Sequence, residues 1–345
     1  MTERKARIPT IREVAKLARV GLMTVSRVIN DHPSVRTSTR KKVEAAIAHL
    51  GYQQNEAARL LKGQRSKIIG LIVPDLSDAF FATCAHTVQH IARAHGYMTL
   101  VVASERDSKL EVEQAELMAK RMISGLLLVS SITRAQHGEY LERLQNIDLP
   151  IVAFDRPLLG LNTDAVLVEN RAGTEEAITH LIQHGHQRIA CIGYDEQVYT
   201  VRERIEGYKQ TIHAAQLKPQ IALGLLTLDD VRDWFEGVLA SKKSPTAVFA
   251  LNHRTANFIL QILAEKNIRI PRDVALIGFD DFDLANVVNP PLTTVSQSAV
   301  ELATRSMHLL LEQIKHKRGA IHLPAKVLLP TRLIVRQSCG AHQIK

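Results

Sequence analysis

Two sets of residues have the types and spacing to do chemistry. The first is a series of polar groups that follow apolar runs. Asp75 and Ser77 come after IIGLIV, with Phe80 and Phe81 just behind, and Asp155 and Arg156 come after PIVAF. Asn252 and His253 follow AVFAL, and Asp280 and Asp281 follow VALIGF. Carboxylate, amide and guanidinium groups beside aromatic faces suit a small polyhydroxylated or acidic ligand. The second set lies near the N-terminus. There Met23, Arg27 and Asn30 fall at i, i+4, i+7 on one helical face, with Leu22 and Ser26 beside them. An Arg so placed can pair bidentately with guanine O6 and N7, and Leu or Met can touch a thymine methyl. The alternative for Leu22 and Met23 is burial in a small core. Neither set is of a catalytic type. The chain has no nucleophile elbow, Walker loop, GxGxxG or HExxH, and no cofactor is expected. His180 and His184 have the i, i+4 spacing that can hold zinc, but no Glu follows His180, and no metal site is expected.

The elements that must position these groups can be read from periodicity. Thr10 is an N-cap candidate with Glu13 three residues on, as a capping box requires. Val14, Leu17 and Ala18 form an apolar stripe, and Gly21 opens a turn into a second helix from about Leu22 to Asn30. Val25, Val28 and Ile29 share the face of that helix opposite the polar set. A third helix, about Thr37 to Leu50, adds Val43, Ala46, Ile47 and Leu50 to a small core. A helix-turn-helix of this kind lays its second helix in the DNA major groove. Charge supports that reading over an ordinary three-helix unit. Residues 1–65 hold fourteen Lys plus Arg against five Asp plus Glu, a net of +9, and the whole chain is also +9. The remaining residues therefore balance, and all of the excess sits on the segment with the pattern of a DNA reader. Met1 to Pro9 is a basic arm that either touches phosphates or lacks structure.

From Lys67 the texture changes to apolar strands alternating with amphipathic helices. Strands are expected at Ile68–Val73, Met98–Ala103, Gly125–Val129, Pro150–Phe154, Ala165–Val168, Arg188–Ile192, Ala247–Ala250 and Val274–Phe279. Helices are expected at Ala79–His95, Lys109–Met122, Gly173–His184 and Arg202–Ala215. This alternation implies parallel sheets covered on both faces, and the length implies two stacked α/β subdomains. Ligands in such sheets bind beyond the carboxyl ends of the strands, where the first polar set lies. Cys84, Cys191 and Cys339 are odd in number and lack metal spacing, as expected of reduced thiols in the cytoplasm. The N-terminus has no apolar signal core, and the longest apolar runs are far short of a membrane span.

TIREVAKLARVGLMTVSRVIN, VRTSTRKKVEAAIAHLGY and NEAARLLKG resemble the headpiece of the lactose/purine repressor family of bacterial transcription regulators. The likeness is dense over the first sixty or so residues and continues across nearly the whole chain. It implies a small all-α helix-turn-helix domain joined by a hinge helix to a bilobed α/β core, periplasmic-binding-protein-like, with two parallel-sheet subdomains. It maps base-reading positions onto Leu22, Met23 and Arg27. Thr10, Thr24, Ser26, Asn30, Thr39 and Arg40 are then phosphate positioners, which set register without reading sequence. In NEAARLLKG the resemblance implies a hinge helix ordered on DNA, with Leu61 as a minor-groove wedge and Asn55, Arg59 and Lys62 around it. Taken alone, that segment is helical in preference but too short to persist in water.

For the core, the resemblance maps effector contacts onto Phe80, Phe81, Thr200, Arg204, Asn252 and Asp280, beside Asp75, Asp155 and Arg156. Arg204 precedes Gly207 in VRERIEGY as in the family. The sequence departs from the family at Gly21, Gln54, Glu169 and His253, where Ser, Pro, Asp and Asp are usual. The expected division is a headpiece at 1–54, a hinge at 55–65 and a core at 66–345. Lobe 1 would span about 66–166 and 296–327, lobe 2 about 167–295 and 328–345, and His308–His316 would return to lobe 1. The implied partners are near-palindromic double-stranded operator DNA, a small effector such as a sugar or sugar acid, and a second copy of the chain. The competing reading is a solute-binding receptor without a DNA role, which leaves the basic headpiece unexplained.

Overall fold

The computed structural model describes residues 9–29, 32–52, 65–132, 137–239, 244–315 and 323–340. The chain forms two compact units, Met1–Ser66 and Lys67–Lys345. In the first, α1 (Ile11–Ala18), α2 (Leu22–Ile29) and α3 (Thr37–Leu50) pack into a mini-core. The Glu13 carboxylate accepts from the Thr10 backbone N–H (2.7 Å) and hydroxyl (3.0 Å), holding the start of α1. The left-handed residue of the turn is Arg19 (φ 54°) rather than Gly21. The Gly21 carbonyl instead receives the first N–H groups of α2, from Thr24 (2.9 Å) and Val25 (3.2 Å). Val14, Ala15, Ala18, Val25, Val28, Val43 and Ala46 are buried. Leu17, expected in the stripe, is 47% exposed. At about 100° per residue Ala15 falls beside Val14 and Ala18, and the buried arc turns Leu17 outward.

The second unit has two six-stranded sheets. One runs β11-β5-β4-β3-β1-β2, from β1 (Ile68–Val73), β2 (Met98–Ala103), β3 (Gly125–Leu128), β4 (Ile151–Phe154), β5 (Asp164–Val168) and β11 (Lys326–Leu329). Its neighbours are all parallel. The other runs β12-β10-β9-β8-β6-β7, from β6 (Ile189–Ile192), β7 (Gln220–Ala222), β8 (Ala247–Ala250), β9 (Ala275–Phe279), β10 (Thr293–Ser296) and β12 (Arg332–Ile334). Only β12 is antiparallel there.

Helices cover both faces of each sheet. On the first, α4 (Ala79–Ala94) and α12 (Ala299–Lys315) lie on one side, and α5 (Ser108–Lys120) and α6 (His137–Gln145) on the other. On the second, α7 (Asn170–Gln183) and α8 (Tyr199–Ala214) oppose α9 (Leu228–Leu239) and α10 (His253–Glu265), with the short α11 (Leu284–Val287) beside the latter pair. The central strands are buried along their length, hence their continuous apolar runs. Strands β7, β10, β11 and β12 were not expected from the pattern, being short or only partly apolar.

The chain passes between lobes after β5, after β10 and between β11 and β12, slightly beyond the expected positions near 166, 295 and 328. These crossings meet. Glu169 N–H donates to the Leu329 carbonyl at 2.9 Å. Gly173 leaves no room for a side chain, since an added Cβ would collide with Thr331 and Val295. Among the described residues no helix is long and apolar enough to cross a membrane.

Candidate functional site

In the headpiece, burial of Val25 and Val28 turns the other side of α2 outward. Leu22 is 46% and Met23 68% exposed, and Arg27 is exposed beside them, so this trio does not pack in the mini-core. Thr24 and Ser26 are half-buried on the same helix. Thr10 is exposed at the start of α1 and engaged with Glu13. Thr39 and Arg40 lie in the first turn of α3, half-buried, with the Arg40 guanidinium donating to the His32 carbonyl at 3.0 Å. Asn30 and the hinge set Asn55, Arg59, Leu61 and Lys62 lie outside the described residues.

In the core, the carboxyl ends of both sheets open onto one cleft holding about 680 Å³ of space continuous with solvent. Eight of the nine expected ligand residues line it: Phe80, Phe81, Asp155, Arg156, Thr200, Arg204, Asn252 and Asp280. The ninth, Asp75, does not. Its carboxylate is taken by Ser77, from the backbone N–H (2.9 Å) and the hydroxyl (2.6 Å), and it lies 3.4 Å from Arg106.

Arg204 is held on all sides. Its Nε donates to Asn170 (2.8 Å), a second nitrogen donates to the Leu251 carbonyl (2.6 Å), and a third faces Asp280 at 3.6 Å. The guanidinium also stacks on Phe279, 3.5 Å from the ring centroid. One turn on, Gly207 lets α8 close onto α7, since a Cβ there would lie 2.6 Å from the Arg171 carbonyl. Asn252 caps α10, accepting from Thr255 N–H at 2.8 Å.

The two lobes present matching carboxylates. Asp155 ends β4 and Asp280 ends β9, both in the left-handed region (φ 62° and 74°). Asp tolerates that region better than most residues. Burial pushes the Asp155 carboxyl above its ordinary pKa against the pull of Arg156 and Arg204. At Asp280 burial pushes upward too, but Arg204, His253 and Gln297 together overcome it and hold the group below its ordinary value. Asp78 caps α4 through Phe80 N–H (3.0 Å), and burial raises its pKa.

The structure adds residues to the cleft that the sequence reading did not assign, among them Asp78, Arg106, Tyr194, Arg254, Phe258 and Gln297, and it places His253 of the expected polar set there too. Several follow strand ends, as in CIGYD and TVSQ, so the same rule could have found them. His253 stands between the lobes, its ring nitrogens 3.8 Å from Asp78 and 3.6 Å from Asp280. Burial lowers its pKa, yet the two carboxylates outweigh burial and leave it raised. Elsewhere, His180 Nε2 lies 3.2 Å from Cys339 Sγ, and no group of His, Cys, Asp and Glu among the described residues is arranged to hold a metal. The three cysteines are free and buried.

A helix-turn-helix with an open reading face, carried by a chain with a two-lobed solute-binding core, defines a DNA-binding regulator. Residues 10–55 match the bacterial regulatory proteins of the lacI family, and residues 178–339 match the periplasmic binding protein-like domain. The chain is 32% identical over 333 residues to the HTH-type transcriptional regulator DegA of Bacillus subtilis, covering 95% of this chain and 97% of that one. It is 32% identical over 332 residues to the HTH-type transcriptional repressor PurR of Haemophilus influenzae, covering 95% and 98%. Among solved structures, a complex of the transcriptional regulator CelR with cellobiose superposes with a TM-score of 0.70 at 29% identity, covering 96% of this chain and 99% of that one. The chain belongs to the lacI family of bacterial regulatory proteins and is a transcriptional regulator.

Proposed function

We propose that this chain is a transcriptional repressor that binds a near-palindromic operator as a homodimer and is controlled by a small polyhydroxylated effector in the interlobe cleft. The observation that carries the DNA half is the outward face of α2, where Leu22, Met23 and Arg27 stand exposed on the unit with all of the excess positive charge. Arg27 reads a guanine, Leu22 and Met23 make apolar base contacts, and Thr10, Thr24, Ser26, Thr39 and Arg40 position the backbone. The effector half rests on the convergence of Arg204, Asp280, Asp155 and aromatic faces in one cleft. Pairing of two copies is supported by the edge strand β2, which leaves Met98 73% exposed.

Headpiece (1–54), hinge (55–65) and core (66–345) then act in series. The effector changes the population of the DNA-competent dimer, and by linkage DNA changes effector affinity by the same factor. The chain performs no catalysis and works in the cytoplasm, where operator DNA is. Selection of bound duplexes from a random pool tests the reading. One palindromic consensus should emerge, and a chain lacking residues 1–65 should select nothing. A protein that selects no sequence would be a solute receptor instead.

A further inference from the structure

The cleft's unmet bonding capacity lies mainly with its cations. Each carboxylate that lines it has a partner within the protein. Asp155 faces Arg156 at 3.4 Å, Asp280 accepts from the Gln297 amide at 2.6 Å, and Asp78 caps α4. The arginines are less well matched. Arg254 has no ion pair or hydrogen bond among the described residues; it lies 5.6 Å from the Phe258 ring centroid and acts on the Asp75 carboxylate only at longer range. Arg106 meets a carboxylate only at 3.4 Å, on Asp75, and otherwise hangs over Tyr194 of the opposite lobe at 5.8 Å. Arg156 is nine-tenths buried; a terminal nitrogen donates to the Ser130 carbonyl at 3.1 Å, while its Nε meets Asp155 at 3.4 Å without a hydrogen bond. Four arginines and His253 line the cleft against three aspartates, with Asp75 beside Arg106 as a fourth just outside it.

We propose that the ligand of the cleft is an acidic polyol, a sugar acid or similar hydroxylated carboxylate, whose anionic end lies between Arg106 of lobe 1 and the His253–Arg254 pair of lobe 2. This rests on the reading of the cleft as an effector site. Arg106 follows β2 of lobe 1 and Arg254 lies in the first turn of α10 of lobe 2, both line the cleft, and both act on the Asp75 carboxylate at its edge. An anion between them would replace that long contact with charge-assisted hydrogen bonds and draw the lobes together. The hydroxylated end is assigned to the other side of the cleft. There Arg204 and Asp280 supply a donor and an acceptor, and the buried Gln297 Oε1, which has no partner, awaits a ligand hydroxyl.

His253 gives the site a pH signature. It is faced by Asp78 from the start of α4, by Asp280 beyond β9 and by Arg204 from α8. Its positive form favours an anion, so affinity for an acid should fall as pH rises through neutrality.

The test uses the full chain in calorimetric titrations with D-glucuronate, D-galacturonate and D-gluconate, against D-glucose and D-galactose. At least one acid should bind about tenfold or more tighter than its neutral parent. That advantage should shrink about tenfold in Arg254→Gln and in Arg106→Gln, and the pH dependence should vanish in His253→Gln. If a neutral sugar binds as tightly as its acid, or the advantage survives both arginine changes, the anionic assignment is wrong while the effector site stands. If no compound of either kind binds a well-folded chain, the polyol effector reading falls with it.

Discussion

Replacing Glu111 by Gln should remove a loss of core stability that sets in as pH rises from 4.5 to about 7. Glu111 lies in the first turn of α5 and is fully buried. Its carboxylate accepts from Ser131 N–H at 2.6 Å and from the Tyr140 hydroxyl, and Ser130 Oγ stands 3.3 Å from the Tyr140 oxygen. Burial pushes its pKa from 4.5 up to about 7, against hydrogen bonds that pull the other way. Below pH 4.5 the group is protonated in both folded and unfolded chains and contributes no pH dependence. Between 4.5 and about 7 the folded protein keeps a proton that the unfolded chain has released, so stability falls as pH rises. Above about 7 both states are ionised and the loss is complete, at about 3 kcal/mol for a shift of this size. Gln has no proton to lose. Its amide can donate to the Tyr140 oxygen while the Tyr140 hydroxyl turns to Ser130. The stability of Glu111→Gln relative to the native chain should therefore rise by about 3 kcal/mol from pH 4.5 to 8, equivalent to roughly 5–10 °C in Tm. Thermal and urea unfolding at half-unit steps of pH would measure it. A difference that stays flat, or falls with pH, refutes the argument.

Three further outcomes are expected. Arg27→Ala should relax base preference at one position per half-site, losing about 1–3 kcal/mol of discrimination there. Competition binding with single-base operator variants would show it, and a uniform loss across all sequences would contradict it. Arg204→Met should leave Asn170 and the Leu251 carbonyl without their donor and Asp280 with only His253 as a cation, costing about 3–5 kcal/mol of core stability by urea unfolding. Gly173→Ala should cost about 1–3 kcal/mol, because its Cβ must displace Thr331 and Val295. The same variant should change effector affinity, while a distant control such as Gly237→Ala, where an added Cβ meets nothing, should not.

Much of the fold could be read because burial on both faces writes itself as uninterrupted apolar runs. Ile68–Val73 and Ala247–Ala250 are of this kind. Gln220–Ala222 and Arg332–Ile334 are short and half-buried, held by their neighbours in the sheet rather than by their own pattern. Two helices begin before the residues where their periodicity becomes clear. Asn170 and Tyr199 open α7 and α8 before the expected Gly173 and Arg202. The first turn of α7, Asn170-Arg171-Ala172, is largely polar, and that of α8 turns Thr200 toward the cleft. The strand-end rule leads to Phe80, Phe81, Asp155, Arg156, Asn252, His253 and Asp280 on the cleft wall, and the family resemblance adds Thr200 and Arg204, but the rule misplaces Asp75, which folds back on Ser77 in a local turn. It also passed over Arg106 and Arg254, whose reach into the cleft depends on side-chain length. Glu111 carried no signal at all, because an acidic residue in a helix's first turn is usually exposed. Only the loop at Ser130 and Ser131 and the approach of Tyr140 bury it.

The meeting of the three chain crossings around Gly173 has a mechanical consequence. A joint gathered at one place permits swing and resists stretch or slip. Whatever occupies the cleft can then move the lobes along essentially one coordinate, and the output is an angle. Chemistry at the cleft wall and motion at the joint become separable design problems. Substitutions such as His253 can retune which molecule is sensed while the transmitted motion stays the same.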